Sequence, residues 1–255
     1  PYFFVPPSGT TAERPQSCSV GTIRFNTDVG TLEVWRGDTI GWEYIQRAES
    51  QYLGGGTGSN TGTGVRGLSM SSSDSGSGAE SNTIEFITIS TLGNSQDFGD
   101  LTYESRQGTG FSSRTRAIHA GGFDGSNRRN NIEFVTIPSL GNAQDFGDLQ
   151  ENRIGSPSGI SNQTRGLIAA GENPNNTNDI DYITIASTGN AVDFGHLSNA
   201  YQQGFAAGSP TRGIFAGGRG SAYYNVIEFV TFMTTGNATD FGDLSSPKKG
   251  SGKGN

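Results

Sequence analysis

The stretch "GNAQDFGDL" (residues 141–149) decides how this chain is read. It contains Asp-Phe-Gly, the triplet that holds magnesium in protein kinases. Almost the same nine residues return as "GNSQDFGDL" at 93–101, "GNAVDFGHL" at 189–197 and "GNATDFGDL" at 236–244. A catalytic triplet is needed once, so four copies argue for architecture. The rest of a kinase is missing too: there is no "HRD" loop, and lysine is absent before Lys248. The sequence therefore predicts a structural role for the repeated aspartates Asp97, Asp145, Asp193 and Asp240. Each is expected to cap a turn through its own backbone while the Phe fills space between neighbouring units.

Two more landmarks keep the same register. One is an apolar stretch after an arginine: "VRGLSMS" from Val65, "TRAIHAGG" from Thr115, "TRGLIAAG" from Thr164 and "TRGIFAGG" from Thr211. The other is "IEFITI" from Ile84, "IEFVTI" from Ile132, "IDYITI" from Ile180 and "IEFVTF" from Ile227, giving steps of 48, 48 and 47 residues. Self-similarity at a fixed period defines a repeat protein. The units run over about 53–101, 102–149, 150–197 and 198–244.

Each unit reads as four short strands. "TRGIFAGG" is an apolar run ended by paired glycines, and "IEFVTI" is apolar on both faces, as a strand sandwiched between layers should be. "DFGDL" makes a third, and the Gly- and Ser-rich stretch before the next arginine makes a fourth, outer strand. Four strands in ~48 residues match a propeller blade, and the glycine pair resembles the kelch repeat. The expected fold is all-β, a kelch-like β-propeller of about four four-stranded blades. The domain spans 47–255, with the tail "SSPKKGSGKGN" as an extra C-terminal strand. A β-solenoid is the alternative.

Composition agrees with short strands and tight turns. With 40 glycines counted beside the 31% of other apolar residues, the apolar share reaches an ordinary ~47%. The net charge of −7 argues against nucleic acid, which needs a basic footprint. No run approaches a membrane helix, so no membrane insertion is expected. Cys18 is the only cysteine, which leaves a small buried hydrophobe or an interchain link. Two histidines, His119 and His196, are too few for a metal site, and neither a metal nor a cofactor is expected.

Residues 1–46 break the period. "GTIRFNTD", "TLEVWR" and "GWEYI" read as a small β-meander with a hairpin. The run "GTTAERP…GTIRFNTDVGTLEVW…GWEYI" resembles a short module of tailed-bacteriophage tail fibres and other virion proteins. The repeats "TRGIFAGG…IEFVTF…GNATDFGDL" resemble those in structural proteins of marine phages that infect cyanobacteria. The resemblance implies a virion component (a tail fibre, tail tip or capsid decoration) located on the phage surface. It implies other virion proteins as partners and a homo-oligomer, a trimer being usual. The first 46 residues would then attach the protein or oligomerise it.

Two sets of residues are candidates for binding or structure. Arg66, Arg116, Arg165 and Arg212 recur at equivalent positions and are expected to pair with the motif aspartates; lining a central channel is the alternative. The segments between the "AGG" and "IEF" strands differ most between units, and a rigid scaffold would present them as loops. They offer Asp124, Asn127, Arg128 and Arg129 in one unit, Asn173, Asn175 and Asn176 in the next, and Tyr223 and Tyr224 in the last. Amides, charged groups and aromatic rings of this kind suit a host surface glycan. No catalytic residues stand out, and the protein reads as a non-enzyme. A depolymerase using Glu172, Asp179 and Asp181 and a purely architectural connector are the alternatives.

Overall fold

A computed structural model of the chain describes residues 6–45, 66–73, 78–89, 91–250 and 253–254. The chain divides into two compact units, Pro1–Glu49 and Ser50–Asn255. Both are built from strands, and the one helical element among the described residues is a 3-10 turn, Thr11–Glu13.

In the N-terminal unit, β1 (Ser8–Gly9) runs parallel to β2 (Ile23–Asn26). Strands β3 (Thr31–Trp35) and β4 (Trp42–Tyr44) then continue from β2 as an antiparallel meander. The hairpin closes where Gly30, at φ +70°, donates its N–H to the Asn26 carbonyl at 2.8 Å. Three polar members of the "TIRFNTD…LE" run, Arg24, Asn26 and Glu33, point inward. Fully buried Glu33 accepts from Arg14 Nε at 3.0 Å and Asn26 Nδ2 at 3.2 Å, with Arg24 Nε at 3.5 Å. Burial alone would raise its pKa, but the bonds from Arg14 and Asn26 and the two guanidinium charges hold it below the ordinary value. Trp35 and Trp42, with ring centroids 5.6 Å apart, form the adjoining apolar centre.

The second unit makes one antiparallel sheet per repeat. The first contains β5 (Arg66–Ser73), β6 (Glu80–Thr88) and β7 (Gln96–Ser105). The second contains β8 (Thr109–Ser112), β9 (Arg116–Phe123), β10 (Arg128–Thr136) and β11 (Gln144–Asp148). The third begins with β12 (Ser158–Ser161) and β13 (Arg165–Ala169). After a two-residue hairpin, β14 (Glu172–Asn173) with β15 (Asn175–Asn176), it continues with β16 (Asp179–Thr184) and β17 (Val192–His196). The fourth contains β18 (Phe205–Gly208), β19 (Arg212–Ala216), β20 (Val226–Thr231) and β21 (Thr239–Asp243). The tail strand β22 (Lys253–Gly254) lies parallel to β18.

The sheets stack face to face. Phe98 and Leu101 of the first meet Val135, Ile137 and Ala143 of the second, and equivalent sets fill the next two interfaces. Among the described residues the first and fourth sheets share neither a core cluster nor a strand pairing. The observed architecture is all-β: a row of stacked antiparallel sheets with two end faces.

One expectation changes. The Gly/Ser-rich strand pairs forward with the next arginine strand, as β8 does with β9 and β12 with β13. In the third unit it is also buried, not outer: all four residues of β12 are buried, packed against β8 and β18. Its polarity misleads because size is what matters here. A Cβ on Gly208 would lie 2.7 Å from Ile160 Cδ1, and one on Gly166 only 2.0 Å from the Phe111 ring. Small residues let adjacent sheets approach closely at this edge.

The motif does its work between units. In every repeat the register slips at Asp-Phe-Gly, so that Ile132 faces Gly147 while Glu133 faces Asp145, leaving Phe146 as the extra residue of a β-bulge. The same slip occurs at Ile84/Glu85, Ile180/Asp181 and Ile227/Glu228. The bulge turns Phe98, Phe146 and Phe194 into the interface with the following sheet, where each is 2–3% exposed. Each packs edge-on against the "IEF" aromatic at a centroid distance of 6.0 Å.

The "GN" of the following unit then locks onto the bulge. Gly141, Gly189 and Gly236 donate N–H to the carbonyls of Phe98, Phe146 and Phe194 at 2.7–2.9 Å. Two residues on, Ala143, Ala191 and Ala238 donate to Asp100, Asp148 and His196 at 2.8–2.9 Å. The Asn side chains return the favour, with Asn142, Asn190 and Asn237 Oδ1 accepting the backbone N–H of Asp100, Asp148 and His196, each at 3.1 Å. The acid of "IEF" adds another bond across the junction. Glu133 and Glu228 take the amides of Thr102 and Ser198 at 2.9 Å, and Asp181 takes that of Gln150 at 3.4 Å.

The recurring arginines belong to the same junctions. Arg66, Arg116 and Arg165 donate Nη1 to the carbonyls of Ile137, Ile185 and Phe232 at 2.6, 3.0 and 2.9 Å, in the unit that follows. Each guanidinium also lies 4.4–4.8 Å over the aromatic ring of its own unit, Phe86, Phe134 or Tyr182. This replaces the expected pairing with the motif aspartates, whose carboxylates stay at the surface. Asp193 and Asp240 instead accept the backbone N–H of Gly195 and Gly242 at 3.1 Å.

Candidate functional site

The variable segments lie along one side of the row, each anchored at its base. Arg106 bridges to Phe123, Ile154 to Glu172 and Gln202 to Arg219, so each loop is tied to the opening segment of its own unit. Links also run from loop to loop. Arg128 Nη2 meets Glu172 Oε1 at 2.9 Å, Gln202 Nε2 donates to Glu172 Oε2 at 3.0 Å, and Asn176 Nδ2 donates to the Arg219 carbonyl at 3.1 Å. The result is a continuous polar ledge.

Most candidate binding residues help to build this ledge. Asp124 accepts the amides of Asn127 at 2.6 Å and Ser126 at 2.9 Å and forms an ion pair with Arg129. Those backbone bonds, with the Arg129 charge behind them, pull its pKa down to about 2, so it stays ionised in its turn. Arg129 lies 5.4 Å over the Tyr103 ring, Asn173 contacts Glu151 at 3.5 Å, and the Tyr224 ring lies tilted 6.5 Å from that of Tyr201. Asn127 and Asn175 are exposed, and Tyr223 is 51% exposed with Lys249 Nζ 5.9 Å from its ring. These three are the candidates that face outward.

The acids weighed for catalysis all have partners. Glu172 is held by Arg128 and Gln202, and Asp179 by Thr177 Oγ1 at 2.5 Å and His196 Nδ1 at 2.9 Å. His196 stands where the other units carry Asp and uses that place to tie down a loop acid. Asp181 is 1% exposed and sits 3.2 Å from Arg153 Nη2, itself 1% exposed. Burial raises the pKa of Asp181, with Arg153 and the Gln150 amide opposing it; burial likewise raises Glu133 against its bonds from Thr102.

Arg153 stands outside the repeated landmarks. It occupies the place of Ser105 in the second unit and Tyr201 in the fourth, so comparing units hides it. His119 is 1% exposed, its ring 6.2 Å from Tyr103 within the second unit. Among the described residues no group of three or more His, Cys, Asp or Glu is placed to hold a metal, and no helix is long and apolar enough to cross a membrane. No family model matches the sequence, and no curated protein is significantly similar to it.

Proposed function

We propose that this protein is a non-catalytic structural component of a tailed-phage virion that binds through its loop ledge. The N-terminal unit attaches or oligomerises the protein, as the module it resembles implies. The sheets of the repeat domain are kelch-like blades, arranged among the described residues as an open row with two end faces. Its target is a glycan of the host surface or a neighbouring virion protein.

The observation that carries this reading is a division of labour. The residues that recur are engaged in holding one unit to the next, while those that vary gather on one anchored ledge with Asn127, Asn175 and Tyr223 outward. An anchored ledge limits the ordering cost of binding. Amides and an exposed aromatic ring are the groups that meet sugar hydroxyls and sugar faces. The partnered state of Glu172, Asp179 and Asp181 favours binding over cleavage, since a glycosidase needs two carboxyls free to act on one bond.

The test is adsorption of the purified protein to cyanobacterial cells and to their isolated surface polysaccharide. The expected result is adsorption without release of oligosaccharide, weakened about tenfold by Tyr223→Ala. Release of oligosaccharide would instead assign a depolymerase. Absence of adsorption would leave an architectural connector.

A further inference from the structure

The two ends of the row are halves of the junction that repeats inside it. At the internal interfaces Val135, Ile137, Ile183, Ile185, Val230 and Phe232 present one face of a sheet and are at most 4% exposed. Their equivalents in the first unit, Ile87 and Ile89, are 46% and 51% exposed. The opposite face shows the reverse case. Phe98, Phe146 and Phe194 are buried, and their equivalent in the last unit, Phe241, is 55% exposed.

The polar groups match as well. The first unit carries the receiving set: the amides of Gly93 and Ser95, the Asn94 side chain, exposed Glu85 and the Ile89 carbonyl. The last unit carries the set they would meet: the Phe241 and Asp243 carbonyls, the Asp243 and Ser245 amides and exposed Arg212. Each pair has the residue type and register of a bond made at all three internal junctions. The backbone of the last unit already has the junction geometry. Gly242 has φ +138°, close to the +142° to +145° of Gly99, Gly147 and Gly195, yet a Cβ there would meet nothing within 4 Å. At those three glycines a Cβ would strike the next unit's Gly carbonyl. The tail leaves room for a partner: Lys248 accepts the Gly218 amide at 2.8 Å, as Arg153 accepts that of Gly122 and Tyr201 that of Gly171. The opening segment of a following unit is thus already in place, and only its sheet is missing.

We infer that the last unit of one copy docks on the first unit of a second copy, continuing the row head to tail. This contact is heterologous, so it builds rings or open chains. It does not depend on what the loops bind.

The test uses the full chain with Phe241→Asp at one end or Ile89→Asp at the other, with sedimentation velocity over a range of concentrations. Circular dichroism should match the unaltered protein, and thermal melting should match it at concentrations low enough to keep it monomeric, since both positions are exposed. The unaltered protein is expected to associate. Each variant alone should associate at least about thirtyfold more weakly, the loss expected for an interface hot spot. Mixing the two variants should restore a one-to-one dimer, because each retains one good end. Should either variant melt early, Arg212→Glu replaces Phe241→Asp and Glu85→Lys replaces Ile89→Asp. A monomeric unaltered protein would overturn the inference, as would association that survives both substitutions or a mixture that stays monomeric.

Discussion

In the Ile89→Asp variant, whose row cannot be extended, Gly195→Ala is expected to destabilise the repeat domain by about 2–6 kcal/mol, measured by urea unfolding, while Gly242→Ala costs about 1–3 kcal/mol. The two glycines hold the same place in the motif and nearly the same backbone, with φ of +142° and +138°. Alanine at either must accept a conformation that L residues rarely adopt, at ~1–3 kcal/mol. Only at Gly195 would the new Cβ also fall 2.4 Å from the Gly236 carbonyl oxygen, which is backbone held by its own junction and cannot swing aside. That overpacking adds ~1–3 kcal/mol. The difference between the two variants isolates the junction from the bulge. Equal losses would mean that the motif shapes its own strand only.

Arg153→Met is expected to cost about 3–5 kcal/mol at neutral pH, because it leaves a buried carboxylate without its counter-ion. The guanidinium also donates to the carbonyls of Ile168 and Asp179, both at 3.1 Å, and these lose a partner too. The loss should depend on pH, and its sign follows from Asp181. The folded pKa of this group is raised above its ordinary 3.8, mainly by burial. Its contribution to stability is therefore fully present below the unfolded pKa and is lost as pH rises through the folded one. Removing Arg153 raises the folded pKa further. The destabilisation measured at pH 7 should accordingly shrink as the pH is brought down toward the ordinary carboxylate range. Adding Asp181→Asn to Arg153→Met should recover a large part of the loss at pH 7. A loss independent of pH, unrelieved by Asp181→Asn, would show that Arg153 acts through packing alone.

These cases mark where the sequence is legible. The period, the all-β class and the place of the strands are all visible because side chains carry them: "IEFVTI" reads as a strand whatever surrounds it. The role of the motif Phe is visible too, since a large apolar residue in a polar run must be covered by something. The partners of the arginines are not visible. Arg66, Arg116 and Arg165 bond to backbone carbonyls about 70 residues away, and a carbonyl leaves no trace in residue identity. The same holds for the Asn of "GN", which accepts backbone amides of the preceding unit. The buried Gly/Ser strand misleads for another reason: hydropathy scores polarity, whereas the tight approach of neighbouring sheets selects for size. On the ledge, composition identifies which loops vary. It cannot separate Asn175 and Tyr223, which face outward, from Asp124 and Arg128, which are engaged with neighbours.

"GN" and "DFGD" meet across units and hold their register. Native-state hydrogen exchange on the Phe241→Asp variant, whose row cannot be extended, reads these contacts amide by amide. The amides of Gly141, Gly189 and Gly236 bond to the preceding unit, whereas Gly93 has the same sequence context and no preceding repeat in the described row. The three internal glycine amides should exchange at least about a hundredfold more slowly than Gly93, as protected amides do relative to open ones. Equal exchange at all four would mean that these bonds do not hold the units together.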